Sequence, residues 1–514
     1  MNEKLEKRRI VRNSILLYAR MLLTTFIGLY ASRALLKGLG FEDYGLYNVV
    51  GGLVMLISFV KQSLGNATWR YITVSLGKGD THEVNRVFNV ALQLHGLFCV
   101  LLVVVAESIG LWFLYHKMNI PLGKELDTLI VYQLSTVVIV LTILSSPYIS
   151  LILAHERMDA FAYITIFESV GKLISAIALF WLTAHHLTLY AVFILLVQVC
   201  VNLLYWFYCF RHFKESRLRM VKAPAMMKEM TGFAGFTLLP GLGFACCDQG
   251  LNILLNMFFG PTVNAARGIS MQVRHLLSRF TESFLQAVSP QITKSYASGN
   301  YNYMYELVSK TAKYCYFIML LMVVPLVLGM PVVLSFWLGE YPEYSVEFCC
   351  FVLAIGLMET IAHPFLVGAA ANGRIRRYYS ITGVLLVAVV PSAYLFLKLH
   401  YPPITIYVVH FCFSVVILAV RVVIGAQLFG YKMRMLYDDV LVPTVRVSIP
   451  VVGMACACYL LVDLSQPLIA VSSMIVSALA ISLVVLALGL NGVERHFLKV
   501  KLHDSFDKLS HKNG

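Results

Sequence analysis

The sequence predicts an all-α protein that crosses a lipid bilayer about 14 times. Three observations predict this fold class. The 514 residues are 59% hydrophobic and only 13% charged, whereas a soluble domain is usually nearer half apolar and a quarter charged. The apolar residues form continuous runs of about 20 residues or more, the length that a helix needs to span a membrane. Lys and Arg gather in the short segments between those runs.

The spans are predicted as helices because the runs are too long for β-barrel strands of about ten alternating residues. The basic segment Met1–Arg12 precedes the first run. That run is too long for a cleaved signal peptide, so the first helix is expected to be retained. The predicted spans are 11–36, 44–64, 88–115, 126–154, 161–183, 187–210, 232–258, 261–284, 314–338, 346–371, 378–399, 404–429, 440–463 and 467–490.

The orientation follows from the distribution of Lys and Arg, which concentrate on the cytoplasmic side of membrane proteins. With the N-terminus inside, the inner segments hold most of the 41 Lys and Arg. The outer loops then hold few of them: Lys37, Lys117, Lys124 and Lys398. Both termini are therefore predicted to be cytoplasmic, and the number of spans to be even.

The chain also repeats itself. A shift of 220 places Gly79 on Gly299, and a shift of 217 places Arg157 on Arg374. Similar offsets on helices of equal rank indicate duplication, with two six-helix halves related by an axis along the membrane normal. The predicted organisation is an N-terminal half at 1–210, a cytoplasmic linker at 211–230, a C-terminal half at 231–430, two additional helices at 431–490 and a cytoplasmic tail at 491–514.

Several function classes are excluded. The net charge is +14, and the basic residues responsible for it lie in the segments between apolar runs. This distribution indicates membrane topology and contact with anionic lipids rather than nucleic acid. No GxxxxGK[ST] phosphate-binding motif occurs. The 11 cysteines lack metal-ligand spacing, and the outer loops are too short to carry catalytic groups. No enzymatic activity, cofactor, metal or nucleic-acid partner is therefore expected.

Polar residues inside the spans indicate a cavity. Arg267 and Arg274 are seven residues apart, so they lie on nearly one face of the eighth helix. Because a planar guanidinium can hold two phosphate oxygens at once, this face suits an anionic ligand. For Arg267 and Arg274 the alternative is an internal salt bridge with Asp248. For Arg20 of the first helix the alternative is snorkelling of the side chain to the lipid headgroups. The substrate-binding candidates are Arg20, Tyr44, Asn48, Asn264, Arg267 and Arg274.

A second set of intramembrane residues could couple transport to H⁺ or Na⁺. Glu168 and Lys172 are spaced i, i+4, as are Glu359 and His363. Such pairs neutralise one another along a helix face, and a carboxylate–imidazole pair can also carry a proton near neutral pH. A structural role is favoured for both pairs, and the relay role stays open. Asp248 completes the candidates for ion coupling.

The segment Gly38–Asn48, followed by Gly51-Gly52 and by Ser75–Asp80, resembles the opening of bacterial polysaccharide flippases of the O-antigen type. These belong to the multidrug/oligosaccharidyl-lipid/polysaccharide exporter superfamily, which includes the MATE transporters. The resemblance implies a monomer in the bacterial inner membrane that moves a polyprenyl-diphosphate-linked oligosaccharide to the outer leaflet by alternating access. It also implies a cationic cavity and contacts with membrane lipids and polysaccharide polymerase or assembly proteins.

Three alternatives stay open. A drug/cation antiporter of the MATE family usually stops at twelve helices and uses acidic cavity residues. A flippase for the peptidoglycan lipid precursor shares the plan of fourteen helices. A membrane-embedded glycosyl- or phosphotransferase would place clustered carboxylates at one membrane face, and the sequence shows no such cluster.

Overall fold

The computed structural model describes residues 2–182, 184–219, 221–372, 376–464, 466–492 and 494–495. Side chains are described at these residues except 2–19, 53–60, 62, 236–240, 280, 283, 286, 287, 290 and 297. Arg374 and all but four residues of the predicted tail therefore lie outside the described residues. In the described ranges the chain is helical throughout, with short turns and no strand.

The first seven helices are joined by short turns, and a π-helical turn at Ala106–Gly110 links the second to the third. Their bounds are α1 Asn2–Gly77, α2 Thr81–Val105, α3 Leu111–His116, α4 Glu125–Leu144, α5 Ser146–Ala154, α6 Met158–Ala178 and α7 His186–His212.

The remaining helices follow the same pattern, with π-helical turns at Tyr437–Leu441 and Val485–Gly489. Their bounds are α8 Pro224–Phe259, α9 Pro261–Ala297, α10 Tyr301–Leu328, α11 Met330–Leu338, α12 Ser345–Asn372, α13 Arg376–Lys398, α14 Thr405–Leu428, α15 Met433–Leu436, α16 Val442–Leu461 and α17 Pro467–Val484.

Within the described residues, 11 helices are long and apolar enough to cross a membrane. They match 11 of the 14 predicted spans. The other three, 11–36, 44–64 and 261–284, lie in α1 and α9, which are helical over those ranges. Three arginines lower the hydropathy of the α9 segment. The predicted class, an all-α multi-pass membrane protein, is confirmed.

Glycines with positive φ interrupt the helices at related positions. Gly40 divides α1 with φ 77° and ψ 174°, and Gly260 separates α8 from α9 with φ 80° and ψ −175°. This region of backbone space is accessible almost only to glycine. The two positions are 220 residues apart, the shift found in the sequence, although the division into halves stays a prediction.

The described chain packs as two compact units. The first consists of Met1–Ile269, Tyr341–Ser345 and Gly383–Ile406. The second consists of Ser270–Glu340, Val346–Thr382 and Tyr407–Gly514. In the first unit, α2, α5 and α7 share a core that includes Phe88, Leu151 and Val201. The approach of α1 to the start of α9 is so close that a Cβ on Gly45 would lie 1.8 Å from the carbonyl oxygen of Pro261.

Candidate functional site

The first unit contains a cavity between α1, α4, α5, α6 and α7, with a volume of about 550 Å³. This volume lies within the range of ligand-binding pockets, about 300–1,000 Å³. Most of the lining area is apolar, but polar side chains from each of the five helices also reach the wall. Its hydroxyl and amide side chains are Asn66, Thr142, Ser145, Ser146, Ser150, Thr165, Gln198 and Tyr205. Such a wall offers hydrogen bonds to a polar ligand.

The cavity also holds ionisable groups. Lys61 of α1 and Glu168 of α6 both line it. The Nζ atom of Lys172 lies 2.6 Å from Oε1 of Glu168, and both groups are close enough to act on the charge of Lys61. Two lysines therefore lie near one carboxylate. With both lysines protonated, the cluster would carry a net positive charge, which would favour an anionic ligand.

Arg20 adds a third cation beside the cavity. Its guanidinium carbon lies 4.8 Å from the ring centroid of Phe161, and Phe161 is part of the cavity wall. A guanidinium at this distance is attracted to the face of the ring. Arg20 also acts on the charge of Tyr205, another wall residue. The structure thus places Glu168 in the cavity wall and two further sequence-predicted residues, Arg20 and Lys172, in contact with wall residues.

A second polar cluster of the first unit contains Arg267. Its Nη2 donates to Oδ1 of Asp248 at 2.6 Å and to the Asp248 carbonyl oxygen at 2.7 Å. Arg267 is only 4% exposed. The structure therefore contains the salt bridge that the sequence kept open as the alternative for Arg267. Whether this arginine also contacts a substrate stays a prediction.

The predicted amide candidates lie in contacts between helices. Asn264 Nδ2 donates to the carbonyl oxygen and to Oδ1 of Asn252, at 2.8 and 2.7 Å. Asn252 in turn donates to the carbonyl oxygen of Asn48 at 3.3 Å, and Asn48 donates to that of Tyr44 at 2.8 Å. These bonds join α1, α8 and α9. The residues of this hydrogen-bond series are distinct from those that line the cavity described above.

The second unit contains a different charged centre. Arg274, which is 7% exposed, donates from Nη2 to both carboxylate oxygens of Glu359, at 3.0 and 2.8 Å. Arg421, His363 and His410 all lie close enough to act on the Glu359 charge. Its bonded partner is thus an arginine on another helix, and His363, the partner predicted from the spacing, is a further neighbour.

Sequence analysis missed several residues of these sites. Lys61 lies near the inner end of a predicted span, where a lysine is most simply explained by snorkelling to headgroups. Gln198 and Tyr205 are single polar residues in an apolar run, and Arg421 lies inside the span 404–429. The sequence did contain a signal for these four residues, since each lies within a predicted span. A polar residue inside the membrane is a functional candidate by default.

Comparison with protein families identifies one match. The model of a family described as polysaccharide biosynthesis protein matches residues 10–333. No curated protein matches the chain.

Solved structures show the same fold. An inward-facing multidrug resistance MATE family transporter of the MOP superfamily has a TM-score of 0.67 at 14% identity, covering 81% of this chain and 98% of that one. The Lipid II flippase MurJ, in an inward closed conformation, gives 0.62 at 12% identity, covering 92% and 98%. A MOP superfamily transporter from Pyrococcus furiosus gives 0.60 at 16% identity, covering 82% and 96%. The family match confirms the predicted resemblance to polysaccharide biosynthesis proteins, and the likeness to these solved structures shows a shared fold.

Proposed function

The chain belongs to the polysaccharide biosynthesis protein family, and from that premise we propose that it is a flippase for a polyprenyl-diphosphate-linked oligosaccharide. It would move this lipid from the cytoplasmic to the outer leaflet of a bacterial inner membrane, as a monomer that meets polysaccharide polymerase or assembly proteins. No chemical step is required of the protein. Only the polar headgroup needs a path through it, because the prenyl tail can stay in lipid.

The observation that carries the proposal is the cationic, hydroxyl-rich cavity of the first unit. A diphosphate attached to sugars presents negative charge beside many hydroxyl groups. Lys61 and Arg20 supply positive charge at the cavity. Hydroxyl and amide side chains line the same wall, and Trp69 offers an aromatic face. A cavity of this chemistry suits a sugar diphosphate better than a cationic drug.

The residues then have distinct roles. We propose that the diphosphate binds Lys61 and Arg20 and competes with Glu168 for the neighbouring ammonium groups. The sugars would bond to the hydroxyl and amide groups of the wall. Tyr44, Asn48 and Asn264 would act near the outer part of the path, because they lie near the predicted outer ends of the spans 44–64 and 261–284.

The two buried arginines suggest how ions couple to transport. Arg267 and Arg274 each hold a carboxylate, on Asp248 and Glu359 respectively. If a phosphate group of the substrate binds either arginine during transport, the carboxylate paired with that arginine loses its counter-ion inside the membrane. Such an uncompensated charge is costly there, so uptake of H⁺ or Na⁺ would follow. We propose His363 as the proton donor nearest Glu359, and the Glu168–Lys172 pair as a second exchange site.

Deletion of the gene in its host tests the proposal. Lipid-linked oligosaccharide should accumulate on the cytoplasmic leaflet, and surface polysaccharide should fall. Arg267→Lys and Arg274→Lys keep the charge but lose the planar fork, so each should restore export only partly. Arg434→Lys changes an exposed arginine and should restore it fully. Normal surface polysaccharide without the gene would rule out the proposed function.

A flippase for the peptidoglycan lipid precursor is the second candidate. The structural match to the Lipid II flippase covers 92% of this chain, against 81% for the multidrug transporter. Both lipids carry a polyprenyl diphosphate, so the cavity charge does not separate them. Depletion separates them, because loss of a sole Lipid II flippase stops cell-wall growth, whereas loss of an oligosaccharide flippase removes surface polysaccharide.

A further inference from the structure

The connection between α7 and α8, residues 213–223, lies where the sequence predicts the linker between the two halves. In a transporter that works by alternating access, such a linker could be a free tether or a hinge. The alternative is that it remains attached to one half throughout the cycle. Its hydrogen bonds distinguish these possibilities.

Three amide side chains of α2 bind the backbone of this connection. Asn85, Asn89 and Gln93 are spaced i, i+4 and i+8, so they lie along one face of the helix. The acceptors are the carbonyl groups of Glu215, Arg217 and Val221. Asn85 Nδ2 donates to Glu215 O at 2.7 Å and to Arg217 O at 2.8 Å. Gln93 Nε2 donates to Val221 O at 3.1 Å.

Asn89 forms the centre of this amide ladder. Its Nδ2 donates to Arg217 O at 3.1 Å, and its Oδ1 accepts from the backbone N–H of Arg219 at 2.7 Å. Asn89 is 3% exposed. Detaching the connection would leave Oδ1 of this buried amide without its Arg219 partner and Nδ2 with the Asn85 carbonyl oxygen at 2.8 Å as its remaining acceptor, which is less favourable than exchanging exposed bonds with water.

The two ends of the connection are buried as well. Phe213 and Ala223 both belong to the core cluster that α2, α5 and α7 share. The Phe213 ring stacks on His155, with ring centroids 4.2 Å apart. In contrast, the side chains of Arg217 and Arg219 are exposed. Attachment therefore depends on the backbone and the two ends, and does not require the basic side chains.

The start of α8 continues the attachment. Tyr71 donates to Oε1 of Glu229 at 2.9 Å, and Ser63 donates to Ala234 O at 2.6 Å. Met230 is buried in the same core cluster. The first unit thus holds the chain from the end of α7 to Arg219 and again from Val221 into α8.

We propose that residues 213–219 and 221–223 form a permanent strap on the first unit and that the hinge of the transport cycle lies elsewhere. This inference rests on the proposed function only for the existence of a transport cycle. The amide side chains of α2 bind the backbone of the strap, so the position of the strap does not depend on which substrate is carried.

A reducible cross-link tests the proposal. Gln93→Cys with Val221→Cys places two thiols where the side chain of one residue meets the backbone of the other, and a short bis-methanethiosulfonate reagent joins them. Transport of lipid-linked oligosaccharide in proteoliposomes should stay within twofold when the link forms. A loss of more than tenfold that reduction reverses would overturn the strap. Wild-type protein with the same reagent controls for its native cysteines.

Hydrogen exchange gives a readout that does not need transport. The backbone amides of 215–221 should be protected in wild-type protein, and Asn89→Ala should accelerate their exchange by at least tenfold. Arg217→Ala should leave it unchanged. Exchange of this segment at the rate of an unstructured chain in wild-type protein would overturn the strap. Absence of transport by wild-type protein, with the segment protected, would instead reject the proposed function.

Discussion

At the scale of single residues, the paired arginines explain how charges are kept inside apolar helices. Arg267 and Arg274 are buried, yet each has a carboxylate within 2.8 Å. A lone ionised group at this depth would be strongly unfavourable. Both carboxylates are more exposed than their arginines, at 21% and 24% of the side chain. The acidic member of each pair is therefore the more accessible of the two groups.

Removal of one partner should destabilise the fold. In Glu359→Gln, Arg274 stays buried without its counter-ion, and an unpaired buried charge costs about 3–5 kcal/mol. The melting temperature of the purified protein in detergent should fall markedly. Arg274→Met combined with Glu359→Met should recover most of this loss, because neither member of the ion pair is then buried without the other.

The matched control for this experiment is the exposed pair Arg434–Asp438. Asp438→Asn should change the melting temperature little, because surface salt bridges contribute about 0–1 kcal/mol. Equal effects of Glu359→Gln and Asp438→Asn would contradict the importance of the buried pair.

At the scale of helices, an ion pair attaches the segment after α17 to α10. Lys313 is 3% exposed, and its Nζ lies 2.8 Å from both carboxylate oxygens of Glu494. Burial raises the pKa of Glu494, but the hydrogen bond from Lys313 and those from neighbouring groups outweigh it, so the pKa lies below its ordinary value of 4.5.

A pH dependence of stability follows from this pKa. Because the folded state lowers the pKa of Glu494, the stabilisation is present above pH 4.5 and is lost as the pH falls through the lower folded value. Glu494→Gln should lower stability at neutral pH and remove this part of the acid sensitivity, as measured by thermal unfolding from pH 3 to pH 7. Glu306→Gln changes an exposed ion pair on α10, the helix that carries Lys313, and should have neither effect. Identical pH profiles for wild type and Glu494→Gln would contradict the account.

The related glycines give a second prediction about the helices. Gly40→Ala and Gly260→Ala should each cost about 1–3 kcal/mol, because alanine does not fit the backbone conformation at either site. Gly28→Ala, in the same helix as Gly40 and with open space around it, should be neutral or slightly stabilising. Thermal unfolding of the three variants provides the comparison. An unchanged melting temperature for Gly40→Ala would contradict the claim that the backbone conformation at this position requires glycine.

Most helices could be predicted from the sequence because apolar runs of this length have one solution in lipid. The contacts between helices could not. The spacing of Glu359 and His363 indicates a pair within one helix, whereas Arg274 reaches Glu359 from another helix. Lys61 and Glu168 meet only after α1 packs against α6, and no periodicity in either helix contains that information.

At the scale of the molecule, the repeat links sequence to structure. Gly79 and Gly299 both have positive φ, at 73° and 74°. Asp80 and Asn300 directly follow them, and each accepts a hydrogen bond from the backbone N–H three residues later. All these positions are 220 residues apart, so the sequence shift located equivalent turns. It could not locate the compact units, whose limits depend on packing.

The central claim is that this chain carries a lipid-linked sugar diphosphate across the membrane by way of the cationic cavity. The most direct test is a leaflet assay in proteoliposomes, with a labelled polyprenyl-diphosphate oligosaccharide placed in one leaflet. Wild-type protein should transfer it. Lys61→Gln should slow transfer about tenfold or more, since a charged contact to the diphosphate is lost, while Lys78→Gln, at an exposed residue just after α1, should not. Equal rates for Lys61→Gln and wild type would contradict the cavity as the site, and transfer no faster than in protein-free vesicles would contradict the function itself.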